Sequence, residues 1–282
     1  MNNYSKLIIF GFIALSLFSC QREKSKIISE SKFYTDSIFS NHLNEYRKHN
    51  VYLPKEFDSL KIYPILFATD GSEISEISFY QKTLDSLIDN DIIKPVIFIA
   101  SHANHKIADS TSSTKGDGTK HYLQYRYFEY VSNYSNSDSL LVNRFKNHML
   151  YFKNELIQHT EKEFNQKLNK SNRYFYGVSN GAGFGLSLLN TYPDVIGTYL
   201  CFSTFGGDIQ TSTWHKEVKY PNLYMRYGSQ EPFFLGEDGE FLKSKYKELN
   251  LFCDIMEFNG GHDYVIWNEE FSEIISRLLR PE

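Results

Sequence analysis

Ser179 stands in Gly177-Val178-Ser179-Asn180-Gly181, between an apolar run at 173–178 and a small-residue segment at 181–190. A strand that enters a helix through so tight a turn strains the central residue. It leaves no room for side chains two positions to either side, which accounts for Gly177 and Gly181. The strain lifts the serine oxygen clear of the turn and aims the first N–H groups of the helix at the same place. A hydroxyl attacks a carbonyl when a base takes its proton and an acid orients that base, and after such a turn the acid precedes the base in the chain. Of nine histidines, only His215 and His262 follow Ser179. His262, in Asn259-Gly260-Gly261-His262-Asp263, lies just past the last apolar strand and is the expected general base, its two preceding glycines letting the loop bend sharply. His215 follows Trp214 in a loop and reads as a surface or pocket-wall residue. Glu231 follows the strand run at 222–227 and is the expected acid, with Asp238 as the alternative; Asp263 is too close to His262 in sequence to orient it. The backbone N–H of Asn180, together with that of Ser72 in Thr69-Asp70-Gly71-Ser72, is expected to receive the oxyanion, with Gly71 as the near alternative to Ser72.

Elements that position such a set are visible in the patterning. Alternation and β-branched or aromatic enrichment predict strands near 35–39, 43–53, 62–69, 94–100, 172–178, 196–203, 221–227 and 251–258. Helical periodicity marks 74–90, 140–164, 181–191, 238–250 and 264–280. From residue 62 onward the two alternate, which implies a mostly parallel eight-stranded sheet with helices on both faces and an antiparallel start. This is the α/β-hydrolase layout, expected as one domain over 33–282. The stretch Asp109–Gly118 reads as a solvated loop, and Glu155 and Glu161 as the solvated face of the 140–164 helix. Cys201 and Cys253 fall on strands with another strand between them, roughly 9–10 Å apart and beyond disulfide reach. His102, His105 and His121 lack the carboxylate and cysteine company of a metal set and read as pocket-lining. No metal or organic cofactor is expected.

Of the 282 residues, 41% are hydrophobic and 16% aromatic, including 21 Tyr and 23 Phe, enough for a sizeable core and incompatible with a disordered chain. A formal charge of −4 gives no electrostatic hold on a nucleic-acid backbone, so no nucleic-acid partner is expected. Residues 1–19 carry Lys6, an apolar run from Leu7 to Phe18, and then Ser19, the order of a secretory signal. Leu17-Phe18-Ser19-Cys20 resembles the bacterial lipobox, which implies acylation (palmitate) of Cys20, export, and anchoring to a bacterial cell membrane through lipid, with 20–32 as a polar tether.

Taken in order, Val51–Phe57, Tyr63–Gly71, Tyr127–Tyr130, Phe152–Ile157, Gly177–Gly181 and Gly260–Tyr264 with Trp267 resemble the Putative esterase family. That family includes enterochelin esterases, esterase D-type thioesterases, feruloyl and acetylxylan esterases, and mycolyltransferases. Val178 stands where a His or polar residue is common, and Ala182 where a second glycine is. The resemblance implies ester or thioester hydrolysis through an acyl-enzyme, with Ser179, Glu231 and His262 as the triad. The ester would be a siderophore, an acylated sugar or a small acyl ester. Two alternatives stay open: an acyltransferase on the same scaffold, and a catalytically inactive lipoprotein that binds a ligand or glycan.

Overall fold

The computed structural model describes residues 28–73, 79–114, 118–132 and 139–281. Among the described residues there are ten strands: β1 (Lys32–Ser40), β2 (Glu45–Leu53), β3 (Ile65–Ala68), β4 (Ile97–Ser101), β5 (Ile107–Thr114), β6 (Lys120–Gln124), β7 (Arg173–Val178), β8 (Thr198–Phe202), β9 (Asn222–Gly228) and β10 (Cys253–Phe258). Eight of them form one sheet in the order β1-β2-β4-β3-β7-β8-β9-β10. β2 runs antiparallel to both β1 and β4. All other pairs in this sheet are parallel.

The inner strands are apolar along their whole length because both faces are covered: β3, β4 and β8 are buried at every residue. Successive residues go to opposite layers. Phe67, Phe175 and Tyr199 join one half of the core with Phe152 and Phe184, whereas Tyr174, Tyr176 and Leu200 join the other with Tyr80, Trp267 and Phe271. The helices are α1 (Phe79–Asp89), α2 (Tyr125–Tyr130), α3 (Ser139–Val142), α4 (Arg144–Leu150), α5 (Ile157–Glu163), α6 (Asn180–Thr191), α7 (Phe234–Glu248) and α8 (Tyr264–Leu278). The fold is an α/β-hydrolase sheet whose parallel strands all point their carboxyl ends at one edge. The antiparallel β2 brings its first residues to that same edge.

Several elements differ from the expectations. The 109–118 stretch is not a plain loop: most of it lies in β5, which pairs with β6 as a separate two-stranded ribbon. Its Ser/Thr-rich composition hides the strand because the ribbon is not built into the buried sheet. α2 is too short for a helical period to register. The 140–164 helix is broken: α3 and α4 are followed by a π-helical turn at Tyr151–Leu156 and then by α5. Glu155 and Glu161 are not a solvated face. The Glu155 carboxylate accepts hydrogen bonds from the Ser40 hydroxyl and the Asn41 N–H, and Glu161 pairs with Arg173, because this helical run lies across the β1–β2 turn and the start of β7. α7 begins at Phe234, ahead of the expected 238. The predicted helix start at 74–78 falls outside the described residues, as do the leader at 1–19, Cys20 and the tether as far as residue 27. Beyond that, Ile28 is already buried, with its N–H donated to the Phe57 carbonyl, so the folded region reaches back past the expected boundary at 33. Cys201 on β8 and Cys253 on β10 are free thiols with β9 between them.

Candidate active site

β7 ends at Val178 and α6 begins at Asn180, so a single residue, Ser179, makes the turn. It does so at φ 55° and ψ −130°, a region that a side chain rarely tolerates. Hydrogen bonds lock that conformation from both sides. The Ser179 N–H donates to the Phe202 carbonyl at 2.9 Å, and the Ser179 carbonyl accepts from Ala182, Gly183 and Phe205. A Cβ at Gly177 would lie 2.7 Å from the Gly181 carbonyl oxygen, and one at Gly181 would lie 2.3 Å from Thr69 Oγ1. Those contacts are impossible, so the two glycines are what lets strand, helix and β3 loop crowd around the serine.

The structure brings Glu231, and not Asp238, to His262. Glu231 Oε1 lies 2.6 Å from His262 Nδ1. A carboxylate only accepts, so Nδ1 carries a proton and Nε2 is the ring nitrogen that Glu231 leaves unengaged. The other oxygen, Oε2, accepts from the Gly228 N–H and the Ser203 hydroxyl, both at 2.7 Å, and Ser203 Oγ in turn accepts from Trp267 Nε1 at 2.7 Å. The Glu231 side chain is 1% exposed and that of His262 is 41% exposed. The imidazole is gripped edge-on by Phe205 and Trp267, at ring distances of 5.1 and 4.6 Å. Asp238 lies on α7, where it accepts from Gln210, and burial raises its pKa. Asp263 caps α8 by accepting from the Val265 N–H. His215 is exposed, near Glu217.

Ser179 and His262 line one cleft of about 320 Å³, with Asp70, Gln124, Arg126 and Tyr264 among its other walls. Asn180 opens α6, and Ser72 lies in a 3₁₀ turn at Gly71–Glu73; the first N–H groups of such turns have no partner within the helix. The Gly71 carbonyl is pinned by Asn50 Nδ2 at 2.8 Å, which fixes this loop beside the serine. Ser72 Oγ meets His105 Nε2 at 3.1 Å, and His105 Nδ1 meets Gln124 Oε1 at 2.8 Å. His105 lines the cleft, as expected of a pocket residue, while His102 Nε2 is engaged by Asn50 Oδ1 at 2.8 Å and His121 is exposed on β6.

Arg126, like Gln124, is a wall that the sequence did not reveal. It projects from α2 and binds Asp70 through Nε at 2.6 Å and Nη2 at 2.9 Å, with Nη1 3.4 Å from Asn180 Oδ1. Burial works against the charged guanidinium, but the hydrogen bonds and charge of Asp70 outweigh it and hold the Arg126 pKa above the ordinary arginine value. A lone arginine on an unpredicted helix leaves no spacing signal. Ser203 is likewise unmarked, although Trp267 belongs to the segments that carry the family resemblance.

The Putative esterase family model matches residues 40–278. The chain belongs to that family. Family membership and the serine set at the sheet edge make this esterase a serine hydrolase of carboxylic esters. It is 20% identical over 268 residues to the uncharacterized protein YjcH of Bacillus subtilis (strain 168), covering 91% of this chain and 99% of that one. Among solved structures it resembles a ferulic acid esterase, with a TM-score of 0.67 and 17% identity over 90% of this chain and 99% of the other. It also resembles an IroE-like serine hydrolase from Shewanella oneidensis, with a TM-score of 0.63 and 15% identity over 88% and 80% of the two chains. At such identities the structural likeness establishes the shared α/β-hydrolase fold.

Proposed function

We propose that this esterase works through an acyl-enzyme on Ser179. His262 takes the hydroxyl proton at Nε2 while Glu231 steadies the resulting imidazolium, and Ser179 Oγ attacks the ester carbonyl. The backbone N–H groups of Asn180 and Ser72 receive the oxyanion. Collapse of the tetrahedral intermediate expels the alcohol, which leaves with the proton from His262. Water, deprotonated by the same ring, then releases the acid and regenerates the serine. The observation that carries this reading is the 2.6 Å contact of Glu231 with Nδ1 of His262, a ring that lines the same cleft as the strained Ser179. The ester is a siderophore, an acylated sugar or a small acyl ester, classes drawn from the family and in keeping with the ferulic acid esterase neighbour. Ser179→Ala is expected to abolish cleavage of an activated butyryl ester, and a fluorophosphonate to label Ser179 alone. Unchanged turnover, or a label found elsewhere by mass spectrometry, would refute the assignment.

We propose further that Cys20 carries the lipid anchor, on the strength of Leu17-Phe18-Ser19-Cys20 after an apolar run. Cys20→Ala is expected to move the protein from the membrane fraction to the soluble one; a variant that stays with the membrane argues against lipidation.

A further inference from the structure

We propose that the cleft at Ser179 continues past His105 into a second, basic cleft, and that the two together hold an ester whose far end carries an anionic group, a carboxylate or a phosphate. This rests on the acyl-enzyme reading for the chemistry at Ser179, and adds what the substrate must look like away from the bond that breaks.

The second cleft has a volume of about 590 Å³, and Tyr46, Lys48, His102, Asn104, His105 and Lys106 are among its walls. His105 belongs to both clefts. Sheet topology explains why they adjoin. β7, which delivers Ser179, is followed outward by β3, β4 and β2. Because β2 is antiparallel, its first residues lie at the carboxyl edge beside the end of β4, where the His102 N–H donates to the Lys48 carbonyl at 2.9 Å. Two to three strand spacings separate this place from Ser179, roughly 10–14 Å. One extended ligand can reach both.

The charge of the second cleft is what selects the ligand. Glu45 and Arg47 line this cleft as well, and with Glu129 and Arg144 behind them they form a network of two carboxylates and two guanidiniums whose charges cancel. Lys48 and Lys106 remain, both exposed, and neither makes an ion pair among the described residues. Burial, with Lys48 and Arg47 nearby, pushes the His102 pKa down to about 4, so that ring is neutral and adds no charge of its own at neutral pH. Two exposed lysines lining one cleft, with no ion pair to another described residue, on a chain whose formal charge is −4, make this stretch of surface locally positive. A terminal anion supplies the counter-charge. Tyr46, 73% exposed and edge-on to Phe39, adds an aromatic wall along which an arm can lie.

The test uses the full mature chain and aryl esters whose acyl arm ends in a carboxylate, a phosphate or a neutral methyl cap, with a matched set capped on the alcohol arm. The ratio of kcat/KM for anionic over neutral esters is expected to exceed one in the wild type, to fall with added salt, and to drop about tenfold in Lys48→Glu/Lys106→Glu, mainly through KM. The preferred cap distinguishes carboxylate from phosphate, and the preferred arm shows which half of the ester occupies the second cleft. A ratio that is the same in wild type and variant overturns the inference. Calorimetric binding of the capped esters to Ser179→Ala reads the cleft independently of turnover. Lysine-dependent binding without any ester cleavage by the wild type would refute the reaction and leave the cleft standing. Cleavage without charge preference would do the reverse.

Discussion

Ser203 acts on the site from beneath it. Fully buried, at φ 47°, it passes a hydrogen bond from Trp267 to the Glu231 oxygen that does not touch His262, so the carboxylate cannot swing away from the ring. Ser203→Ala removes a hydrogen bond to a charged group, worth about 1.5 kcal/mol, and is expected to lower kcat roughly tenfold while leaving KM within about twofold. Steady-state kinetics on a short activated ester check this, and an unaltered kcat would mean that Gly228 alone holds Glu231. Ser179 and His262, which line one cleft, and Glu231, which touches His262, each carry a local mark in the sequence: flanking glycines for Ser179, a double glycine for His262, the end of a strand for Glu231. Position favoured Glu231 and left Asp238 open; the contact with His262 falls to Glu231. Ser203 and Arg126 carry no such mark, since their partners lie 28 and 56 residues away.

At the scale of elements, α2 has little intrinsic claim to its place, being six residues long. What fixes it is Glu129, which is 0% exposed and takes Arg47 at 2.8 Å and Arg144 at 2.5 Å. This ties α2 to β2 on one side and to α4 on the other, and so aims Arg126 at Asp70. Glu129→Gln leaves two buried guanidinium groups short of a counter-charge and is expected to cost roughly 3–5 kcal/mol, read as a lower urea midpoint. A loss below about 1 kcal/mol would show that packing alone holds α2. The inner parallel strands were readable because double-sided burial makes them continuously apolar. The π-helical turn was not, because a single widened turn at Tyr151–Leu156 leaves both flanking helices with ordinary periodicity. Its effect surfaces at Glu155, held by the β1–β2 turn where periodicity pointed to water.

Across the whole molecule, the sheet order turns a list of strands into a surface. Alternation of strands and helices foretold the parallel body and its antiparallel start, but not that β2 would set Lys48 on the same rim as Ser179, because pairing order is a long-range property. That rim is also open: His262, the base of the proposed reaction, has a side chain 41% exposed. On the acyl-enzyme path, this openness decides what happens once the alcohol has departed. The acyl group then sits within reach of bulk solvent, and any sugar or alcohol acceptor competes against water that arrives continuously and without being held. An acceptor wins that competition only by residence, through contacts that keep it at the mouth of the cleft longer than water takes to react. Whether this scaffold hydrolyses or transfers is therefore a matter of kinetic partition set by accessibility, and an uncovered imidazole tilts it toward hydrolysis.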